Sequence, residues 1–321
     1  MKKNLLLKIL SGLLFLFLAG GLYFVYGILP EKVAQSLVAK AKIHKPLTLD
    51  PGKYGLSYQA VATASDGVTL SGWWLPADKT KKPLGTILLT HGAFKNREQV
   101  FLRAFFLVKA GYQVLLFDQR GCGLSGDSPL SGGLLESKDF TAWALFVKKT
   151  QRLKKPLVDF GFSMGAMGAL RDAVEDREVD GVVADSPLAN LKSYVSRRTL
   201  GGRFSKFPGF LNRCLKAYDF LSGLNLTEGD LNMVPIVQQL REVPVIYITG
   251  EADDLAKSEE VRELFLKTSS HHRRLVYIPE AGHEETYDKY PIVYQKGVLE
   301  FLTALREGFP KTDDYSTQPI K

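Results

Sequence analysis

Gly161-Phe162-Ser163-Met164-Gly165 places a serine between two glycines. A G-x-S-x-G run lets the backbone turn sharply from a strand into a helix, which lifts the serine oxygen above a sheet edge as a nucleophile. The surroundings suit that reading: an apolar run, Leu157–Phe162, precedes it, and the small residues Ala166, Gly168 and Ala169 follow. A serine hydroxyl is a weak nucleophile and needs a base held in one tautomer. Five histidines compete for that role. His44 lies in a lysine-rich stretch, His271 and His272 in a polar turn, and His91 precedes a glycine where a loop-fixing role is expected. His283, in Pro279-Glu280-Ala281-Gly282-His283-Glu284-Glu285, is the expected base.

The base needs a carboxylate to accept its second ring proton. Gly250-Glu251-Ala252-Asp253-Asp254 follows an apolar run, and Asp253 is preferred because it stands three residues beyond the glycine. Asp254 remains a rival, as does Asp185, which alternatively caps the turn at Ser186-Pro187. Acyl transfer also needs donors for an oxyanion. The backbone N–H of Met164 is one expected donor, and that of Ala93 in His91-Gly92-Ala93-Phe94 is the other, with Phe94 as second choice.

These residues need a scaffold that gathers strand ends. Leu56–Ala64 and Val68–Leu75 flank Asp66-Gly67, a hairpin signal. Strand-like apolar runs follow at Thr86–Thr90, Gln113–Asp118, Leu157–Phe162, Gly181–Asp185, Val245–Thr249 and Arg274–Ile278. Helical periodicity fills about 97–109, 135–150, 164–176, 258–268 and 291–305. The expected fold is α/β: an eight-stranded, mostly parallel sheet with helices on both faces, whose functional residues collect at the carboxyl ends of the strands.

With these residues in order, the chain resembles the α/β-hydrolase superfamily over about residues 55–305. It looks most like a bacterial membrane-anchored branch related to serine-aminopeptidase-like and BEM46-like hydrolases. The resemblance is carried by His91-Gly92, Phe117-Asp118-Gln119-Arg120-Gly121-Cys122-Gly123-Leu124-Ser125, the Ser163 motif, Asp185-Ser186-Pro187, Gly250-Glu251-Ala252-Asp253 and Gly282-His283. It implies a Ser163–His283–Asp253 triad and a loop-holding role for Asp118 and Arg120. It also implies a substrate from a broad range of esters, thioesters, amides, lactones and epoxides, and nothing in the chain suggests a metal or cofactor. Relatives often carry proline or valine after the acid, where this chain has Asp254, so the choice between Asp253 and Asp254 stays open.

The net charge of +8 is concentrated at one end. Residues 1–45 hold seven lysines and one acid, Glu31, while residues 46–321 hold 35 basic and 33 acidic side chains. A nucleic-acid partner is excluded, because phosphate binding needs a concentrated basic face, and clusters such as Lys148, Lys149, Arg152, Lys154 and Lys155 lack interleaved aromatics. Ile9–Leu29 is a 21-residue run without charge, long enough to cross a bilayer, with Tyr23, Phe24 and Tyr26 where an aromatic belt would lie. A cleaved signal peptide ending near Ala19-Gly20-Gly21 is the rival reading. The expected organisation is an anchor at 1–30, a juxtamembrane spacer at 31–45, a hydrolase domain at 46–309 and a frayed tail at 310–321. The domain is expected to face outward from a single-pass membrane helix. Within it, 186–243 is either a helical crossover or a partial cap, carrying Tyr194, Arg197, Arg198, Arg203, Phe204, Phe207, Phe210 and Tyr218. Cys122 and Cys214 are expected as free packing thiols.

Three function classes follow. The leading one is a serine hydrolase acting on a carboxylic ester or thioester of a small or lipid-like acyl substrate. An amidase or peptidase on the same triad is the second, with Glu284 and Glu285 available to a substrate amine. A non-catalytic scaffold is the third.

Overall fold

The computed structural model describes residues 2–40, 44–77, 82–150, 153–175, 178–198, 209–227 and 229–309. Arg152, Arg203, Phe204, Phe207, residues 41–43 of the expected spacer and the tail 310–321, singled out above, lie outside the described residues. The chain divides into two compact units, Met1–Lys40 with Val195–Leu226, and Ala41–Tyr194 with Thr227–Lys321.

The second unit contains an eight-stranded sheet: β1 (Gln59–Ser65), β2 (Val68–Leu75), β3 (Thr86–Thr90), β4 (Gln113–Phe117), β5 (Leu157–Phe162), β6 (Gly181–Asp185), β7 (Val245–Gly250) and β8 (Arg273–Ile278). Their order is β1-β2-β4-β3-β5-β6-β7-β8. Asp66 and Gly67, both at positive φ, close the antiparallel β1–β2 hairpin, as the Asp-Gly pair demands. The pairing of β2 with β4 is antiparallel, and every pairing from β4 through β8 is parallel.

Strand periodicity explains the layers. Ile87 and Leu89 face one core, with Val114 and Leu116, while Leu88 faces the other, with Leu115 and Phe117. Phe101–Lys109 and Pro291–Glu307 cover the first face with Phe101, Ala104, Tyr294, Val298 and Phe301. Leu134–Thr150, Met164–Glu175 and Ser258–Lys267 cover the second with Phe140, Trp143, Met167, Leu170, Val261 and Leu264. Central strands β3 to β7 are buried on both faces, which is why they read as unbroken apolar runs.

The first unit opens with helix Lys2–Tyr23, continues through a π turn at Phe24–Ile28 and ends as helix Leu29–Lys40. Among the described residues one helical stretch, Lys8–Ala39, is long and apolar enough to cross a membrane, and a signal sequence would meet the same test. In the same unit, helix Phe210–Ser222 packs against Leu29–Lys40. Cys122 and Cys214 are buried free thiols. Burial pushes the Cys122 thiol up to about 12, so it stays protonated.

Candidate active site

Ser163 stands between β5 and helix Met164–Glu175 with φ +54°, a left-handed conformation that non-glycine residues adopt at a cost. The flanking glycines make that turn sterically possible. A Cβ on Gly161 would lie 2.1 Å from the Gly165 carbonyl carbon, and one on Gly165 would lie 2.6 Å from the His91 carbonyl oxygen. The turn is pinned at both ends. The Ser163 N–H donates to the Asp185 carbonyl at 2.7 Å, and the Ser163 carbonyl accepts from the Ala166 N–H at 3.0 Å.

His283, on the loop after β8, has Nε2 2.8 Å from Ser163 Oγ and Nδ1 2.8 Å from Asp253 Oδ2. An ionised carboxylate only accepts, so Nδ1 carries the ring proton and Nε2 is left as acceptor for the serine hydroxyl. Asp253 is buried, and its other oxygen accepts from the Leu255 N–H at 2.9 Å and the Ala256 N–H at 2.8 Å. Asp254 is exposed. Gly250 permits this meeting of loops. A Cβ there would lie 2.2 Å from the Ala281 carbonyl oxygen, which accepts from the Ala252 N–H at 3.0 Å.

Asp185 does not reach His283. Its carboxylate accepts from Arg103 Nε at 3.0 Å, Tyr294 Oη at 2.7 Å and Thr286 Oγ1 at 2.9 Å, all of them buried. Ser186 Oγ makes only a long 3.3 Å contact, so the expected turn cap is a minor part of its role. Burial opposes the Arg103 charge, but Tyr294 and Asp185 outweigh it and hold the guanidinium above its ordinary range. Burial and then Asp185 push the Tyr294 phenol well upward, so it remains a donor. Asp185 therefore holds Ser163 through its backbone and the His283 loop through Thr286. Arg103, Thr286 and Tyr294 were not anticipated from sequence. They lie 82, 101 and 109 positions from Asp185, so no local pattern marks them.

The loop after β3 is built on His91. Its Nε2 accepts from the Gln119 N–H at 3.1 Å, so its proton sits on Nδ1, which donates to the Gly92 carbonyl at 2.7 Å. Complete burial lowers its pKa, which keeps it neutral in this loop-fixing position. Ala93 and Phe94 pack against Cys122, Leu130 and Met164, so both expected oxyanion donors belong to one cluster. As the first residue of its helix, Met164 has an N–H with no intrahelical acceptor. Phe94 takes φ +60°, which marks this loop as constrained.

Asp118 and Arg120 brace the neighbouring loop. Asp118 accepts from the Arg97 backbone N–H and from Arg97 Nη2, each at 2.7 Å, and from the Leu124 N–H at 2.8 Å. Arg120 meets Asp139 through Nε at 3.0 Å and Nη2 at 2.6 Å. Burial raises the Asp139 carboxyl to about 6, against the pull of Arg120.

Comparison with known proteins agrees with this architecture. A family described as "Serine aminopeptidase, S33" matches residues 81–220. The chain is 27% identical to "Uncharacterized protein YfhR" of Escherichia coli (strain K12), over 75% of this chain and 78% of that protein. It is 26% identical to "Uncharacterized protein YqkD" of Bacillus subtilis (strain 168), over 70% and 72%. Among solved structures, the Pyrococcus furiosus esterase Pf2001 superposes with a TM-score of 0.68 at 29% identity, covering 82% of this chain and 97% of that one. Est1E from Butyrivibrio proteoclasticus, at 16% identity and a TM-score of 0.58, shares the fold, covering 77% and 98%. The eight-stranded sheet, the glycine-flanked serine turn and these similarities together place the chain in the α/β-hydrolase superfamily, as a hydrolase of that fold.

Proposed function

We propose that the protein is a serine hydrolase that cleaves a carboxylic ester or thioester through Ser163, His283 and Asp253. The observation that carries this reading is the pair of 2.8 Å contacts on opposite nitrogens of His283. His283 Nε2 takes the Ser163 proton as Oγ attacks the carbonyl carbon, while Asp253 holds the tautomer and offsets the imidazolium charge. The Met164 and Ala93 N–H groups stabilise the tetrahedral oxyanion. His283 then protonates the leaving oxygen or sulfur, and an acyl-enzyme forms on Ser163. Water activated by the same nitrogen releases the acid.

Amide or peptide cleavage on the same residues is the second reading, favoured by the serine-aminopeptidase similarity. Two contacts weigh against it. Glu284 pairs with Lys95 at 3.0 Å, and Glu285 accepts the Gly282 N–H at 2.9 Å, so both carboxylates near the base already have partners. The esterase from Pyrococcus furiosus adds support for the ester reading. The decisive measurement compares p-nitrophenyl acyl esters of graded length with aminoacyl anilides, after labelling with a fluorophosphonate probe. Turnover of esters alone supports the reading, and faster turnover of anilides replaces it with the second. A protein that neither labels nor turns over either substrate is a scaffold.

We also propose that the N-terminal helix is retained as a single-pass anchor in the cell membrane, with the hydrolase domain on the outer side. The helix runs on past Ala19-Gly20-Gly21 to Lys40, and its last segment packs on helix Phe210–Ser222 within one compact unit.

A further inference from the structure

The charge of the chain follows its compact units. Met1–Lys40 and Val195–Leu226 carry eleven basic and two acidic residues, a net of +9. The other 31 basic and 32 acidic residues nearly cancel, so one unit of 72 residues holds the whole surplus. That unit also contains the membrane-length helix. Lys2, Lys3 and Lys8 precede the apolar run, and the other eight basic residues follow it with both acids. A net of +6 therefore joins the apolar segment on the side of Val195–Leu226, and these two signals together give firm attachment to an anionic bilayer.

Helix Phe210–Ser222 gives this charge a defined surface. One side is buried, at Phe210, Cys214 and Tyr218, spaced one turn apart. The solvent side carries Arg213, Lys216 and Phe220, which fall within about 60° of one another on a helix with 3.6 residues per turn. Phe220 is 88% exposed, a large apolar ring beside two cations. Interfacial helices have this composition, with the ring entering the acyl boundary and the cations meeting phosphates.

The position of the stripe along the N-terminal helix is also set. Arg213 Nη1 donates to the Tyr26 carbonyl at 3.0 Å, and its guanidinium carbon lies 5.6 Å from the Tyr26 ring centre. Tyr26 lies in the π turn, where the regular hydrogen-bond ladder is interrupted, and beside Tyr23 and Phe24, which are exposed. Aromatic residues at the end of a spanning segment lie at headgroup depth. The contact therefore brings the start of helix Phe210–Ser222 to that depth.

We infer that helix Phe210–Ser222 is a second membrane-contact element, whose Arg213, Lys216 and Phe220 bind the surface of a bilayer rich in anionic phospholipid. The inference rests on the anchoring proposed above. Salt weakens it and zwitterionic lipid does not support it, because its selectivity is electrostatic.

Hydrogen exchange of residues 210–222 tests it, using the full chain in nanodiscs of phosphatidylcholine alone or with added phosphatidylglycerol. Each cation near an anionic surface is worth about 1 kcal/mol, or about fivefold in exchange protection. Protection should therefore appear with phosphatidylglycerol, fade in high salt and fall at least about fivefold in Lys216→Glu. Lys216→Arg should retain it. Lys216→Glu and Phe220→Ser should leave hydrolysis of a small soluble ester unchanged, which shows that the variants fold. Equal exchange in both lipids, with the chain resisting carbonate extraction, overturns the surface and leaves the anchor standing. If carbonate releases the chain, the anchor fails. Sedimentation with phosphatidylglycerol against phosphatidylcholine vesicles then decides the surface, and equal binding rejects it.

Discussion

Ser163 carries the one hydroxyl within hydrogen-bond distance of His283 Nε2 among the described residues, so its removal is the sharpest test of the proposed chemistry. Ser163→Ala should abolish fluorophosphonate labelling and ester turnover while leaving the far-UV circular dichroism spectrum unchanged. Labelling that persists would place the nucleophile elsewhere. Asp253→Asn should lower kcat by about 10⁴, since an amide favours the wrong imidazole tautomer. Exposed Asp254 makes a built-in control, and Asp254→Asn should change kcat less than about twofold. His91 predicts a pH dependence of stability rather than of activity. Its folded pKa lies below the ordinary 6.5, so below that pH the unfolded chain binds a proton that the folded chain refuses. Stability from this group is full above about 6.5 and is lost as pH falls. Urea midpoints at pH 7.5 and 5.5 should therefore differ more in the parent than in His91→Gln, and equal slopes would remove His91 from the account.

At the scale of elements, the Arg103–Asp185 pair joins four pieces of chain. Arg103 comes from helix Phe101–Lys109, Asp185 from the end of β6, Thr286 from the segment after His283 and Tyr294 from helix Pro291–Glu307. Removing one partner of a buried pair leaves an uncompensated charge, at a cost of about 3–5 kcal/mol. Arg103→Met should lose about that much in urea denaturation and lower kcat more than it changes KM, because Ser163 and the His283 loop both hang on Asp185. Arg103→Lys should recover part of the stability. A fully stable Arg103→Met enzyme with parental kcat would reduce the network to packing.

At the scale of the whole molecule, the position of a truncation matters. Deletion of residues 1–28 removes the membrane-length apolar run and keeps Leu29–Lys40, which packs on helix Phe210–Ser222. That shorter chain should be soluble and active on small activated esters. Deletion of 1–45 removes no strand, yet it strips the packing partner Leu29–Lys40 from helix Phe210–Ser222, so light scattering should report stronger self-association. The intact chain should stay with membranes through salt and carbonate washes, since apolar burial is not screened. A mature protein that starts near Gly20 in the soluble fraction would make the segment a cleaved signal peptide.

Much of the site was legible in the sequence because its parts are local. Gly161 and Gly165 bracket Ser163, an apolar run precedes each functional loop, and strand periodicity orders those loops along one sheet edge. Doubly buried strands and glycine-dependent turns write themselves into neighbouring residues, so spacing alone reveals them. The sequence by itself thus determined the fold class, the serine turn, the histidine and a short list of acids. Tertiary structure brought Asp253, of the three candidate acids, within 2.8 Å of His283, because burial and contact depend on what packs around a side chain. It also brought Arg103, Thr286 and Tyr294 to Asp185, and grouped 195–226 with the N-terminal helix. Those contacts join residues far apart in the chain, where no periodicity relates one partner to the other.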